Sequence, residues 1–299
     1  MKFNAEPETI SEKFHIVCAA DVVVKEQQFI WSERIPAENV TLLYGEPGIG
    51  KTILCCKIAA DVSSGHVSVP NVQNQIVNSE PAKVIYIAAE ESAERIAYYI
   101  QKNGGDLNNV AIVNIDELTT HAFLENDFNT LCAMIALIKP QLIVMDPWIA
   151  FINATTSKSI KWGRMREIYH DLMILCHRTN CSTLLTMYPT KLRKVSSDGW
   201  QWTQATEELY NGCRSVLQVV RDIDGSNNKV LVHTKANLSR CCDSVKFSIQ
   251  DSCIDWQGES EINRQVISYA GSWNCSIAEV VAHFRNQRNV AKGKEEAEP

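Results

Sequence analysis

The stretch LLYGEPGIGKTIL, from Leu42 to Leu54, decides the fold class. An apolar run ends in glycines, and a lysine and a threonine follow at once. Gly45, Gly48 and Gly50 let the backbone turn tightly, so that successive N–H groups point into one concavity at the start of a helix. Orphan donors and the helix dipole both favour an anion at that position. The stretch matches GxxxxGK[ST] at every fixed position, which predicts a loop that holds the phosphates of a nucleoside triphosphate.

Two side chains of this loop have predicted roles of their own. Lys51 is expected to reach the β- and γ-phosphates, and the Thr52 hydroxyl is expected to bind Mg²⁺. The alternative is a glycine turn with an incidental lysine, but the motif lies between a predicted strand and a predicted helix, as its function requires. The predicted ATP-binding residues are Gly45, Glu46, Pro47, Gly48, Ile49, Gly50, Lys51, Thr52 and Ile53.

Strands and helices alternate through the first two thirds of the chain. Predicted strands begin at Val40, Val84, Val110, Leu142 and Ser182, and predicted helices span Lys51 to Ser63, Glu91 to Lys102, Ala122 to Ile138 and Ile160 to Arg178. Near-continuous apolar strands separated by helices predict an α/β fold with a mostly parallel sheet that is covered on both faces.

The alternation stops after the fifth strand. Three apolar runs beginning at Arg214, Lys229 and Val245 are separated only by turns, which predicts an antiparallel meander at one edge of the sheet. The predicted organisation is an N-terminal segment 1–33, an ATPase domain 34–257, a small helical element 258–290 and a disordered tail 291–299. The helical element is expected to dock a neighbouring subunit or another partner.

Acidic residues follow two of the predicted strands at the carboxyl edge of the sheet, beside the phosphate loop. Asp146 ends the strand LIVMD and is predicted to bind the metal together with Thr52, although strands also end in aspartate for turn reasons alone. Glu90 is predicted to be the base that orients or deprotonates the attacking water, with Glu91 as the helix-start residue. Alternatively, both glutamates only favour the dipole of the helix that follows.

From about Arg34 to Ser239 the chain resembles the RecA-like ATPases of the AAA family that are typified by the RepA hexameric helicases of plasmids. The resemblance rests on RIPAENVTLLYGEPGIGKT, VIYIAAEES, LIVMDPWIAF and VLVHTKANLS. It implies a RecA-like P-loop fold, Mg²⁺-dependent ATP hydrolysis and a homo-oligomeric ring, expected to be a hexamer. It also implies that Arg214 and Lys235 are catalytic residues that reach a neighbour's triphosphate. Otherwise, they are a surface arginine and a strand-end cation.

The chain departs from this group at two places. Met187 and Tyr188 stand where relatives often have two histidines, and Asn211, Gly212 and Cys213 stand where they have Gly-Gly-Ser. The first departure removes the usual polar sensor of the γ-phosphate. Thr186 and Tyr188 are the candidates to replace it, and slow hydrolysis is the alternative.

Two loops that line the central channel in the ring-forming relatives combine cations with aromatic rings. Their candidate residues are Lys158, Lys161, Trp162, Arg164 and Arg166 in one loop, and Lys191, Arg193, Lys194, Trp200 and Trp202 in the other. Cations can meet phosphates while rings stack on bases, so the pattern predicts binding of single-stranded nucleic acid. Alternatively, the tryptophans cover the core and the lysines are merely solvated.

Composition limits the partners. The chain carries 29 Lys and Arg against 35 Asp and Glu, a net charge of −6, so contact with nucleic acid must be local. No apolar stretch approaches the ~18 residues of a membrane span, and eleven cysteines without a CxxC pair indicate a reducing compartment. We therefore expect a cytoplasmic protein without membrane association. The leading hypothesis is an ATP-driven helicase-like motor on single-stranded nucleic acid. The alternative is an ATP-dependent oligomeric switch or assembly ATPase without helicase activity.

Overall fold

A computed structural model describes residues 17–69, 77–114, 128–151, 162–188, 209–273 and 275–295. The strands are β1 (Phe29–Trp31), β2 (Ile35–Pro36), β3 (Val40–Gly45), β4 (His66–Val67), β5 (Val77–Asn78), β6 (Val84–Ala88), β7 (Val110–Asn114), β8 (Leu142–Asp146), β9 (Ser182–Met187), β10 (Ser215–Arg221), β11 (Lys229–Ala236), β12 (Val245–Gln250) and β13 (Cys253–Glu259). The helices are α1 (Lys51–Ser64), α2 (Ala93–Lys102), α3 (Phe128–Ile138), α4 (Trp162–Thr179), α5 (Arg264–Trp273) and α6 (Ile277–Glu295).

A nine-stranded sheet organises the molecule, in the order β13-β12-β11-β10-β3-β9-β8-β6-β7. Neighbouring strands from β10 to β7 are parallel, whereas β10, β11, β12 and β13 pair antiparallel. The predicted α/β class, with a mostly parallel sheet and an antiparallel edge meander, is therefore confirmed. Strand β13 was not predicted. It alternates buried Ile254 with exposed Asp255, as an edge strand does, so it lacks the continuous apolar run of the central strands.

Helices cover both faces of the sheet. Every residue of β3, β6, β8 and β9 is buried. One hydrophobic cluster joins the sheet to α1 and α2, and a second joins the opposite face to α3 and α4. Because the central strands are parallel, their carboxyl ends meet at one edge, and this edge positions the candidate site.

The C-terminal helices pack on the meander of their own chain. Val220, Val230 and Val232 of β10 and β11 form a third cluster with residues of α5 and α6 that include Val266 and Val280. Helix α6 continues to Glu295, so residues 291–295 are helical where the sequence predicted a disordered tail. Alanine, lysine and glutamate are strong helix formers, which explains the continuation. None of the helices in the described part of the chain has the length and apolar character needed to cross a bilayer.

Candidate nucleotide site

The phosphate loop connects β3, which ends at Gly45, to α1, which begins at Lys51. Gly50 is the N-cap of α1 and adopts a left-handed backbone with φ of 101°, a conformation that favours glycine. Gly45 is required for another reason, since a Cβ there would lie 2.7 Å from the Val219 carbonyl oxygen of the adjacent strand β10. The two glycines are therefore required by the backbone: Gly50 by its left-handed conformation and Gly45 by the close approach of β10.

Helix α1 points its first turn at the loop. The Leu54 N–H donates to the Gly50 carbonyl at 3.0 Å, which is the first bond of the helix. The N–H groups of Lys51, Thr52 and Ile53 precede that bond and have no partner within the helix. Such N–H groups, together with the positive end of the helix dipole, fit the oxygens of a phosphate chain.

The Lys51 ammonium lies across the loop. It donates to the carbonyl oxygens of Gly45 and Glu46, at 2.8 Å each, and lies 5.9 Å from the centre of the Tyr188 ring. Burial lowers the pKa of Lys51, and the negative charge of Asp146, followed by smaller effects that include Glu90, opposes that shift. The predicted phosphate-binding lysine and the two predicted acids are therefore close enough to interact electrostatically.

Asp146 is held at the end of β8 by its two neighbouring strands. Its Oδ1 accepts a hydrogen bond from the Thr186 hydroxyl of β9 at 2.6 Å, and its Oδ2 accepts one from the Tyr86 hydroxyl of β6 at 2.9 Å. Burial, and then the charge of Asp146, raise the pKa of Tyr86, so this phenol remains a donor. A fixed carboxylate and the half-buried Thr52 hydroxyl are oxygen ligands of the kind that Mg²⁺ prefers.

Sequence reasoning did not identify Tyr86 as part of the site. Its signal was a tyrosine within the apolar strand VIYIA, which ends at the same edge as LIVMD. Buried tyrosines usually find a partner for the hydroxyl group, and here the partner is the candidate metal ligand.

Glu90 is exposed and lies just beyond the carboxyl end of β6, where Ala88 pairs with Asp146. The following helix begins two residues later than predicted. Ser92 is the N-cap of α2, and its hydroxyl accepts the Arg95 N–H at 3.3 Å. Glu91 therefore precedes the cap and lies 3.7 Å from the Arg95 guanidinium, so it is not a first-turn residue as predicted.

The remaining predicted catalytic cations lie at the opposite edge of the sheet. Arg214 directly precedes β10, whose first residue pairs with Thr41 near the start of β3, whereas Gly45 pairs with Val219. Thr41 and Gly45 are thus separated by ~13 Å along the strand. The Lys235 ammonium donates to the carbonyl oxygens of Tyr210 and Asn211 at 2.9 Å and 2.8 Å. One chain does not bring Arg214 and Lys235 to its own phosphate loop.

Arg264, at the start of α5, is a third cation near this edge that sequence reasoning missed. Burial raises the pKa of Tyr210, and the positive charge of Arg264 is the largest influence that opposes the shift. Tyr210 in turn lies 5.3 Å from the Lys235 ammonium, measured to the ring centre. The sequence showed only an arginine within the predicted helical element 258–290, and it carried no functional prediction.

Most of the predicted nucleic-acid contacts lie outside the described residues. These are Lys158, Lys161, Lys191, Arg193, Lys194, Trp200 and Trp202. Trp162 and Arg164 belong to the first turn of α4, and Arg166 is exposed on the same helix. Binding of single-stranded nucleic acid therefore stays a prediction.

A family model described as an AAA domain matches residues 15–194, which include the phosphate loop, Glu90 and Asp146. The chain belongs to the AAA_25 family of AAA domains. This AAA domain is 22% identical over 159 residues to the DNA repair protein RadA of Chlamydia pneumoniae, covering 53% of this chain and 30% of RadA. It is 25% identical over 154 residues to RadA of Aquifex aeolicus, covering 51% of this chain and 29% of that protein.

The AAA domain thus spans less than a third of the length of these curated relatives. A solved structure with the same architecture is a KaiC-like protein from the archaeon Pyrococcus horikoshii. It superimposes with a TM-score of 0.51 at 18% identity and covers 78% of this chain and 97% of its own. At that identity the likeness concerns the fold alone, and together with the family match it confirms a RecA-like P-loop ATPase fold.

Proposed function

We propose that this protein is a Mg²⁺-dependent ATPase whose subunits form a ring, a hexamer of the RepA type, and move on single-stranded nucleic acid. The observation that supports a multi-subunit machine is the separation of the candidate catalytic groups. Lys51, Asp146 and Glu90 lie at the carboxyl edge of the parallel strands, and Arg214 and Lys235 lie near the other edge. A second copy that presents its cations to this chain's loop would complete the site.

In this mechanism the chain binds the triphosphate with the N–H groups of the loop and with Lys51. Thr52 and Asp146 would hold Mg²⁺, which supplies neutralisation of phosphate charge when it is bound. Glu90 is exposed to water, so its carboxylate can orient the attacking water and accept the proton that the water loses. Tyr86 and Thr186 keep the Asp146 carboxylate in a fixed orientation.

Arg214 and Lys235 act on the neighbouring subunit. In phosphoryl transfer, negative charge spreads over the transferred group and the leaving oxygen, and an arginine from a second subunit stabilises it. The Lys235 ammonium is held by two carbonyl oxygens beside Tyr210, which fixes its position before any partner docks. Hydrolysis would then be coupled to movement between subunits.

Substitution of the phosphate-loop lysine tests the enzymatic part. Lys51→Ala is expected to lower ATP hydrolysis by at least about a hundredfold, because the β- and γ-phosphates lose their cation. The matched control is Lys83→Ala, which removes an exposed lysine at the start of β6, at the other edge of the sheet. Phosphate release is measured for both variants. Wild-type turnover in Lys51→Ala contradicts the proposal.

The second candidate function is an ATP-dependent switch that orders an oligomer without moving on nucleic acid. The net charge of −6 and the buried Met187 in place of a histidine favour it. A labelled single-stranded oligonucleotide, titrated at two salt concentrations, separates the two functions. A motor should bind with a marked salt dependence, and single strands should stimulate its ATPase activity. Absence of binding at both concentrations favours the switch.

A further inference from the structure

The phosphate loop is backed by a side chain from the edge meander. A Cβ on Gly50 would lie 2.3 Å from Cδ1 of Ile249 and 3.8 Å from its Cγ1, and these are the nearest atoms to that position. Ile249 is in β12, several strands away from β3 in the sheet order. The meander therefore curls over α1 and places Ile249 against the residue that caps this helix.

This contact acts on a backbone that has little restraint of its own. Glycine populates many conformations, so a glycine-rich loop loses entropy when it is fixed around a ligand. Gly50 must hold a left-handed conformation for the N–H groups of the first turn of α1 to face one point. Packing that holds Gly50 in this conformation before the ligand arrives lowers the cost of binding.

The same hairpin is attached to the helix that follows the candidate base. Asn103, the C-cap of α2, donates from Nδ2 to the Ser252 carbonyl at 2.9 Å, and its Oδ1 accepts the Ile254 N–H at 2.9 Å. The Cys253 thiol donates to the Lys102 carbonyl at 3.1 Å. The turn between β12 and β13 is therefore bound to the end of α2 by both its backbone and a side chain.

The hairpin is also anchored in the core beneath α1. Phe247 and Trp256, on β12 and β13, lie 5.6 Å apart between ring centres, and Trp256 lies 6.3 Å from Trp31. Phe247 is fully buried within the cluster that includes α1. A hairpin held at its base by aromatic packing and at its tip by Asn103 is a rigid support for whatever Ile249 touches.

From these contacts we propose that Ile249 is a positioning residue for the phosphate loop, and that the β12–β13 hairpin aligns this loop with α2 and hence with Glu90. The proposal rests on the proposed function, since it concerns binding of a triphosphate at the same site. Ile249 acts through Gly50 and does not itself touch the phosphates.

Truncation of Ile249 tests the proposal against a matched residue. Ile249→Val removes only Cδ1, the atom nearest to Gly50, and Ile249→Ala removes more of the side chain. The controls are Ile254→Val and Ile254→Ala, which remove the same groups from the residue paired with Ile249 in the hairpin. The Kd for ATP, the KM and kcat of hydrolysis and the denaturant midpoint are measured for all four variants.

We expect Ile249→Ala to weaken ATP binding on the order of tenfold and Ile249→Val to weaken it less, because small displacements of binding groups have large effects. The Ile254 variants should keep the wild-type Kd within about twofold, although they lose packing as well. KM should rise more than kcat falls, since the chemical groups remain in place. A Kd that changes equally in the Ile249 and Ile254 variants overturns the proposal.

Asn103→Ala provides a second measurement that does not alter the core. It should also weaken ATP binding, and the double variant with Ile249→Val should lose less than the sum of the two single effects, because both act through one hairpin. Additive effects overturn the alignment by the hairpin. The outcome for Lys51→Ala is independent of these results. If that variant hydrolyses ATP at the wild-type rate, the proposed function fails. If Lys51→Ala is defective in hydrolysis and the Ile249 and Ile254 variants change the Kd equally, only the positioning role is removed.

Discussion

Asp146 has both carboxylate oxygens engaged by hydroxyl groups on the two flanking strands, so its orientation is determined by three strands. Tyr86 reaches one oxygen and Thr186 reaches the other. Substitution of a residue that orients a metal ligand typically lowers metal affinity by about 10- to 100-fold. Their substitution should therefore alter the Mg²⁺ requirement before it alters the fold.

We expect Tyr86→Phe and Thr186→Val each to raise the Mg²⁺ concentration for half-maximal ATP hydrolysis by about tenfold. Tyr44→Phe is the matched control, because Tyr44 is a buried tyrosine of β3, the strand next to β9, and donates to Gln218 instead of Asp146. Activity is measured over a Mg²⁺ titration. If Thr186 also senses the γ-phosphate, Thr186→Val will stay slow at saturating Mg²⁺ while Tyr86→Phe recovers. An unchanged Mg²⁺ profile for both variants would refute the role.

The candidate residues that sequence reasoning found are those with a local signal. Lys51 and Thr52 belong to a contiguous motif, and Asp146 and Glu90 follow apolar strands directly. Tyr86 could not be assigned in this way, because its role depends on the register that places Ala88 opposite Asp146. Ile249 depends on the curl of the meander over α1, for which a single sequence carries no signal.

Secondary-structure elements were likewise predictable where the local sequence pattern determines them. Central strands are continuous apolar runs because both faces are buried, so their positions were predictable. The start of α2 was misplaced because two glutamates precede Ser92, and glutamates near a helix start suit the dipole in either position. Strand β13 was missed because polar residues occupy its exposed face.

A buried histidine links β10 and β11 to the segment before β12. The Cys242 N–H donates to Nδ1 of His233 at 3.1 Å, so the proton of the neutral ring is on Nε2, which donates to the Ser215 hydroxyl at 3.0 Å. Ser215 in turn donates to the Arg34 carbonyl at 2.5 Å. The direction of these bonds makes the serine an acceptor from the imidazole, so the pair is structural and is not a nucleophile with its base.

Burial, followed by the charge of Arg34, lowers the pKa of His233 from 6.5 to about 3. Below pH 6.5 His233 binds a proton in the unfolded chain but not in the folded chain. The free energy of unfolding therefore falls as the pH decreases towards 3. Between pH 7 and pH 5 this group should cost about 2 kcal/mol of unfolding free energy. Urea unfolding of the wild type and of His233→Gln at pH 7 and pH 5 measures this loss of unfolding free energy. The variant should lose less stability over this interval, and equal losses would contradict the assignment.

At the scale of the whole molecule, the two halves of the candidate site lie at opposite edges of one sheet. If each nucleotide site is formed by two subunits, a variant with a defective phosphate loop can be rescued by a variant that lacks one of the two cations, Arg214 or Lys235. Lys51→Ala and Arg214→Ala should each be nearly inactive. In an equal mixture, about a quarter of the interfaces should recover activity, because there a subunit with an intact Lys51 meets a subunit with an intact Arg214.

The control for this mixing experiment is Arg240→Ala, which removes an exposed arginine in the segment after β11 and should stay active alone. Turnover is measured after the two variants are mixed and allowed to exchange subunits. Recovery requires a shared site. Mixtures that remain as inactive as their components, despite demonstrated exchange, would contradict it.

The polarity of the sheet has a further consequence. Subunits that associate through two different surfaces form a row with two unequal ends. The subunit at one end has a phosphate loop without a neighbour's cations, and the subunit at the other end has cations without a neighbour's phosphate loop. The fraction of phosphate loops that face a neighbour's cations increases with the number of subunits in the row. It reaches one only when the row closes into a circle. Turnover per chain should then depend on protein concentration until closure, and not afterwards.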